Sequence, residues 1–420
     1  MVQTQSATSR LGYPLLACAF TVITLGTTLP TPIYALYAQN MHFAVLTTTV
    51  IFSAYAAGLL AGLLVFGRWS DAIGRRPVLI AGAVAAIISA AVFLAAESVP
   101  LLFLGRMLSG LSAGIFTGTA TAAIVESVPP DKQATAAAGA TIANSCGLGL
   151  GPVLAGVLVQ YVRDPLQLPY IVHIVMAALA IVAIALVPET SSCIGTIGLQ
   201  RLSVPAKVRP VFITAATAAF AGFAVTGLFT AVVPSFISNI IGIGNHAVAG
   251  AMASSIFAAS AAAQLAGQHI SPPRALALGC ATLTVGMVIL TVALQYSSLA
   301  GLLLAAVIAG TGQGLSFSRG LAAVAEGTPT ERRAEVSSTY FVVAYVAVLL
   351  PVIGLGLAAH RWGLKASGVS FAVIVAALAL LCLGAIGWQE RQQKSSYAAS
   401  AQGGVSPALW KLNQFRKFPD

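Results

Sequence analysis

The residues able to do chemistry are few and unevenly placed. Asp71, Arg75 and Arg76 fall in one ten-residue stretch, Gly67-Arg-Trp-Ser-Asp71-Ala-Ile-Gly74-Arg75-Arg76. Both charge signs lie within a few residues, between glycines suited to a tight turn, so the chemistry open to the stretch is ion pairing. Arg106 and Arg319 sit alone inside apolar runs, where an arginine is costly and marks a functional site by default. The eleven acids all lie away from the centres of those runs. The chain has no G-x-x-x-x-G-K-[ST] for a nucleotide, and no Ser/His/Asp or Cys/His catalytic motif stands out. Its five cysteines (Cys18, Cys146, Cys193, Cys280, Cys382) show no metal-ligand spacing. No enzyme activity, metal or cofactor is expected.

The elements that must position these residues follow from composition. Of 420 residues, 58% are hydrophobic and 8% charged, against about 25% charged in a soluble domain. The expected solvent, and first partner, is the lipid bilayer. The net charge of +10 sits in short loops between apolar runs, so nucleic acid is not expected as a partner. Runs of about 20 apolar residues predict twelve spanning helices at 11–37, 43–66, 77–97, 100–125, 134–161, 168–188, 210–238, 246–268, 274–295, 299–324, 335–359 and 365–388. No cleavable signal peptide is evident. The chain divides into a first six-helix half over 1–188, a linker loop over 189–209, a second six-helix half over 210–388, and a disordered tail over 389–420. With the N-terminus inside, the inner loops and tails carry sixteen Lys and Arg and the outer loops carry Arg163, Arg361 and Lys365. That bias puts both termini in the cytoplasm.

The halves repeat at an offset of 200 residues. Gly67, Gly110, Gly114, Glu126 and Pro129 match Gly267, Gly310, Gly314, Glu326 and Pro329. Parallel repeats of six helices are the internal symmetry of one transporter architecture.

The Gly67–Arg76 stretch resembles the loop between the second and third helices of the major facilitator superfamily, G-x-L-a-D-r-x-G-R-[RK], with Trp69 where leucine is usual. The resemblance covers essentially the whole chain, with its specific motifs mostly in the first half. It implies an all-α membrane fold of twelve helices in two pseudo-symmetric halves. It also implies a cytoplasmic gate in which Gly67, Asp71, Gly74, Arg75, Arg76 and Glu126 form a charge cluster that latches that side closed. The equivalent loop, Gly267-Gln-His-Ile-Ser271-Pro-Pro-Arg274, has lost the acid, so a one-sided latch is expected. Leu104-Gly-Arg106-Met-Leu-Ser-Gly110-Leu-Ser-Ala-Gly114 is similar to the family's fourth-helix motif, and Gly110, Gly114 and Gly118 form a packing groove. Gly147-Leu-Gly149-Leu-Gly151-Pro152-Val-Leu-Ala155-Gly156 resembles the fifth-helix motif of the family's drug:proton antiporters. Pro188-Glu189-Thr190, ending the sixth span, is also familiar in these exporters.

A central cavity between the halves is expected. Polar and aromatic candidates to line it are Tyr34, Tyr55, Phe116, Asn144, Phe223, Gln264, Gln313, Phe317, Tyr340 and Tyr345. Arg319 either snorkels to the inner face or meets an anionic group. With no carboxylate deep in a span, the substrate is expected to be neutral, apolar or anionic rather than cationic. Proton coupling would run through Asp71, Arg106 or Glu126, with His173 behind them. The leading expectation is a proton-driven exporter of small organic molecules or drugs, powered by the proton gradient, monomeric, in the plasma membrane and specifically a bacterial inner membrane. The alternative is a proton-coupled uptake symporter for a sugar or organic acid.

Overall fold

The computed structural model describes residues 2–329 and 332–402. Twelve helices long and apolar enough to cross a membrane run through the described residues. They are α1 (Leu11–Asn40), α2 (Val45–Ile73), α3 (Arg75–Leu94), α4 (Val99–Glu126), α5 (Thr135–Tyr161), α6 (Leu168–Leu186), α7 (Arg209–Ala231), α8 (His246–His269), α9 (Pro272–Gln295), α10 (Leu299–Glu326), α11 (Arg333–Trp362) and α12 (Leu364–Gln389). No strand occurs among the described residues. Hydrophobic side chains at helical spacing stay exposed on outer faces, as with Val175, Leu179, Val182 and Leu186 on α6 and Leu278, Val285 and Val292 on α9. Such stripes are the surfaces that lipid covers.

Three boundaries differ from the sequence reading, each for a local reason. The second span was expected to end at 66, but α2 stays helical to Ile73, and only Gly74, at φ +108°, separates it from α3. Gly67 therefore lies inside a helix, and Gly74 alone makes the turn, in a backbone conformation that favours glycine. The seventh span stops at Ala231; Pro234 follows in a short turn, and a wider π-helical turn over Ile237–Ile241 ends at Gly242, φ +80°. The last helix continues to Gln402, where disorder was expected from residue 389. The sequence over 389–402 is rich in Gln and Ala and contains no glycine or proline until Gly403, so it suits a helix. Residues 403–420, the rest of the expected tail, lie outside the described residues.

Helices α1–α6 pack on one another, as do α7–α12. The main cross-contacts are α5 with α8 and α2 with α11. The packing partners repeat: α2 with α4 mirrors α8 with α10, and α1 with α5 mirrors α7 with α11. Glycines allow the closest approaches. A methyl group on Gly110 or Gly114 of α4 would overlap the carbonyl oxygens of Tyr55 or Leu59 on α2. One on Gly310 or Gly314 of α10 would overlap those of Ile256 or Ser260 on α8. Gly118, in contrast, has room beside Leu63.

The buried apolar side chains also show where the groups join and part. Toward the α4–α5 and α10–α11 connections there are two separate cores. One is built on Leu16, Leu79, Ile115, Phe116 and Ile184, and the other on Phe212, Leu276, Val324 and Tyr340. Toward the opposite face a single cluster crosses from Ile51 and Phe52 to Leu228, Val348 and Val352. The two groups of helices are thus fused at one face and separate at the face that carries Gly74.

Candidate functional site

The charge cluster is built where α2, α3, α4 and the end of α6 meet. Asp71 and Arg75 are one helical turn apart across the Gly74 break, and Arg75 Nη1 pairs with Asp71 Oδ1 at 2.6 Å. The same nitrogen donates to Ser70 Oγ at 2.6 Å. The other edge of the guanidinium grips Glu126 with two bonds, Nη2 to Oε1 at 2.8 Å and Nε to Oε2 at 3.1 Å. This fork geometry gives charge-assisted hydrogen bonds both strength and direction. Thr190 Oγ1 donates to Glu126 Oε2 at 3.1 Å. Asp71 keeps half its side chain exposed, at 52%.

Glu189 completes the cluster. Its carboxylate accepts from the backbone N–H groups of Arg75 at 2.8 Å and Arg76 at 3.0 Å, and from Thr190 and Ser191 at 3.0 Å each. The first two are otherwise unpaired donors at the start of α3, where the helix dipole also favours an anion. Partial burial opposes ionisation, but these four N–H donors win and hold the carboxyl below its ordinary 4.5. Gly74 is needed here as well, because a Cβ there would stand 2.6 Å from Glu189 Oε2. The linker then runs along α2. Gly195 N–H donates to Asp71 O at 3.1 Å, Gln200 N–H donates to Leu64 O at 2.7 Å, and Arg68 donates to Thr196 Oγ1. Arg76 contributes its backbone only; its side chain is exposed. Every partner of Arg75 lies before residue 190, so in this conformation the cluster does not bridge to α7–α12.

Arg106 is 1% exposed. It donates to Thr27 O at the end of α1. Its guanidinium carbon lies 4.8 Å from the ring centre of Tyr55, 5.2 Å from Phe52 and 5.8 Å from Tyr34. With no acid beside it, this aromatic cage and one carbonyl offset its charge, and its Nε has no partner. His173 is equally enclosed, its ring against Gly26 and its Nδ1 unpartnered. It lines a small pocket with Thr27, Ser89, Phe93, Ser109, Ser112 and Tyr170.

The α5 motif divides its small residues between two neighbours. Gly147 and Gly151 sit against the backbone and hydroxyls of Thr21, Thr24, Leu25 and Thr28 on α1. Gly156 meets His246 O, and Pro152 O meets Gly250, both on α8. Ser254 Oγ also donates to Gly149 O, and on the α2–α11 side Gly356 sits against Thr49 while Ser53 Oγ donates to Leu349 O at 3.3 Å. The α5–α8 and α2–α11 contacts join the two halves.

At the face that carries Gly74, α5, α8 and α10 part around a cavity of about 400 Å³, lined in part by Thr141, Ser145, Gln264, Gln268, Ser318 and Arg319. Gln264 Nε2 donates to Ser260 Oγ at 3.1 Å, and Ser260 in turn donates to Gln313 Oε1. Within the second half, Phe223 of α7, Phe317 of α10 and Tyr340, Phe341 and Tyr345 of α11 form a connected ring cluster with centroids 4.9–6.5 Å apart.

The structure therefore brings Asp71, Gly74, Arg75 and Glu126 together, and separately Gln264 and Arg319 at one cavity. Phe116 does not join the cavity; it packs against Phe20 and Gly82 inside the first core. Tyr340 is fully buried, with its hydroxyl on Phe317 O at 3.2 Å. Tyr34 and Tyr55 serve the Arg106 cage, and Asn144 offers its carbonyl to Thr24. Sequence reasoning missed Phe52, Phe341 and Ser260, and it named Glu189 only within the Pro188-Glu189-Thr190 ending, with no part in the charge cluster.

The sequence matches the Major Facilitator Superfamily over residues 16–351. The class E tetracycline resistance protein of Escherichia coli is 34% identical over 110 residues, 26% of each chain. The multidrug resistance protein MdtL of Escherichia coli is 43% identical over 65 residues, 16% of this chain and 17% of that one. The alignments thus span about a quarter or less of these curated relatives. A bacterial homolog to the human lysosomal transporter Spinster, solved in an inward-facing and unoccupied conformation, superposes with TM-score 0.72 at 15% identity, covering 90% of this chain and 98% of that one. The human organic anion transporter MFSD10 does so with TM-score 0.65 at 18% identity, covering 90% and 99%. At these identities the structural likeness is one of fold. A match across most of the chain and twelve membrane-length helices lead to one conclusion: this protein belongs to the Major Facilitator Superfamily.

Proposed function

We propose that this transporter exports small organic molecules in exchange for protons, by rocking its two six-helix halves about a central site. The observation that carries the reading is the one-sided opening. A cavity lies between α5, α8 and α10 at the face of the Asp71–Arg75–Glu126 cluster, while the opposite face is packed shut. In this reading the cluster is the latch of that face, and closing it would bring α11, the cross-half neighbour of α2, against Asp71, whose carboxylate is half exposed. Export rather than import is supported by the α5 motif and by the partial likeness to two resistance proteins. Asp71, Glu126 and Arg106 are the coupling candidates, with His173 behind them. The protein works as a monomer in a bacterial inner membrane with both termini in the cytoplasm, in keeping with its loop charges.

Everted membrane vesicles test this. They are energised, then given a panel of drugs, sugars and organic acids while internal pH is followed with a dye. Substrate-dependent proton efflux that Asp71→Asn abolishes, with the variant still inserted, is the expected result. Proton movement of the opposite sense would make the protein an uptake symporter. Normal transport by Asp71→Asn would remove the latch.

A further inference from the structure

We infer that the cavity between α5, α8 and α10 is a binding site for an amphipathic organic anion whose carboxylate pairs with Arg319. The inference rests on the reading that this cavity holds the substrate, and it adds the substrate's charge.

Arg319 lies in the wall of the cavity, seven residues before the end of α10. That is about 10 Å of helix, further than the spacing at which a side chain on the same face meets the terminal acid. Its Nε is sealed from solvent and has no hydrogen-bond partner, and it forms no ion pair among the described residues. The contrast with Arg106 is informative. Arg106 is caged by three aromatic rings and a carbonyl. Arg319 has neither, and none of the residues lining its cavity is an acid. A partly buried guanidinium without an ion pair is a cost that an anion can offset, and its planar fork suits a carboxylate.

The rest of the wall specifies the remainder of the ligand. Gln264 Oε1 is a second buried polar atom without a partner. Ala138, Ile142, Ala261 and Leu265 supply apolar surface. Thr141 and Ser145 come from α5, in the first half, while Arg319 comes from the second. An anion held by Arg319 would therefore neutralise a charge that the halves must otherwise enclose when they close on each other. A volume of about 400 Å³ is within the usual range for sites that take drug-sized molecules. A cation would meet like charge here, and a phospholipid headgroup would have to leave the lipid-facing surface to reach it.

The test is equilibrium binding by the purified full chain in phosphatidylcholine nanodiscs, without a proton gradient. The probes are 2-naphthoate and its uncharged isostere 2-naphthamide, titrated calorimetrically at pH 7. We expect the naphthoate to bind about tenfold or more tightly than the amide, Arg319→Gln to bring the two within about twofold, and Arg319→Lys to keep the preference. Helix content and a monodisperse size-exclusion profile check that each variant is folded. The wild-type comparison stands even if one variant is not. Three results would overturn the proposal: no preference for the anion in the wild-type protein, weak binding of both included; preference retained by folded Arg319→Gln; or loss of naphthoate binding in phosphatidylglycerol nanodiscs, which would assign the site to a lipid headgroup. Because no gradient is used, anion binding without proton exchange in vesicles would sink the export reading and leave this one standing.

Discussion

The corresponding ends of the two halves share their packing and differ in their chemistry. In the first half Gly110 and Gly114 seat α4 on α2, and the turn after α2 carries Asp71, Gly74 and Arg75 paired with Glu126. In the second half Gly310 and Gly314 seat α10 on α8 at the same offset, but the turn after α8 is Ser271-Pro272-Pro273-Arg274, with Arg274 and Glu326 both exposed and unpaired among the described residues. Close helix approach is a geometric requirement that both halves must meet, since each bundle stands on the same crossings. A latch needs to be built on one side only. The repeat therefore keeps its small residues and is free to lose its charges.

The comparison can be broken at its strongest point by adding one methyl group to each half. Gly110→Ala and Gly310→Ala each drive a Cβ into a backbone carbonyl that cannot swing away. Each should cost about 3 kcal/mol, read as a matched fall in thermal unfolding temperature in detergent. A large loss in one half and none in the other would end the symmetry argument.

Next in size is the asymmetric term. Arg75→Gln should slow vesicle transport by about ten- to a hundredfold, the range of a coupling free energy of 1–3 kcal/mol, while the protein still inserts. Arg274→Gln should change it by less than about twofold, as expected of an exposed unpaired charge. Equal effects would mean that the second turn also serves the gate.

The smallest effect sharpens the account of how the first turn is held. Glu189→Gln keeps an acceptor at the start of α3 and removes its charge, so it should cost about 1 kcal/mol or less. The folded-state carboxyl titrates below its ordinary 4.5. Its contribution is therefore present above that pH and is lost as pH falls through the lower folded value. Stability of the wild type and Glu189→Gln, followed from pH 7 downward, should converge once the folded-state carboxyl is protonated. A gap unchanged by that protonation would show that Glu189 acts by shape rather than charge.

These contrasts mark what the sequence could and could not disclose. The spans were legible because about 20 apolar residues leave little choice in a bilayer, and the clustering of Asp71, Arg75 and Glu126 through the family resemblance of the Gly67–Arg76 stretch. Glu189 was not, because it lies 113 residues from Arg76 in the chain and only the antiparallel return of α6 brings it to α3. The length of α2 was misjudged because polar residues suggest a loop, whereas Arg68 to Ile73 complete a helix and Gly74 alone turns the chain. The ring cluster was only partly named. Phe341 joins it through tertiary packing, which has no local pattern to betray it.

In the rocking proposed above, the packed seam where Pro152 meets Gly250 and Thr49 meets Gly356 would also fix the mechanical advantage of the molecule. These two contacts, one between α5 and α8 and the other between α2 and α11, would serve as its axle. From Pro152 to the start of α5 is about 26 Å, and to its other end about 14 Å, at 1.5 Å per residue. A turn of about 10° about that axle would carry the long arm nearly 5 Å and the short arm little more than 2 Å, by the same helix lengths. The cavity with Arg319 stands on the long arm. A small slip at the glycines would thus be geared up into a wide stroke at the face where the ion pairs sit.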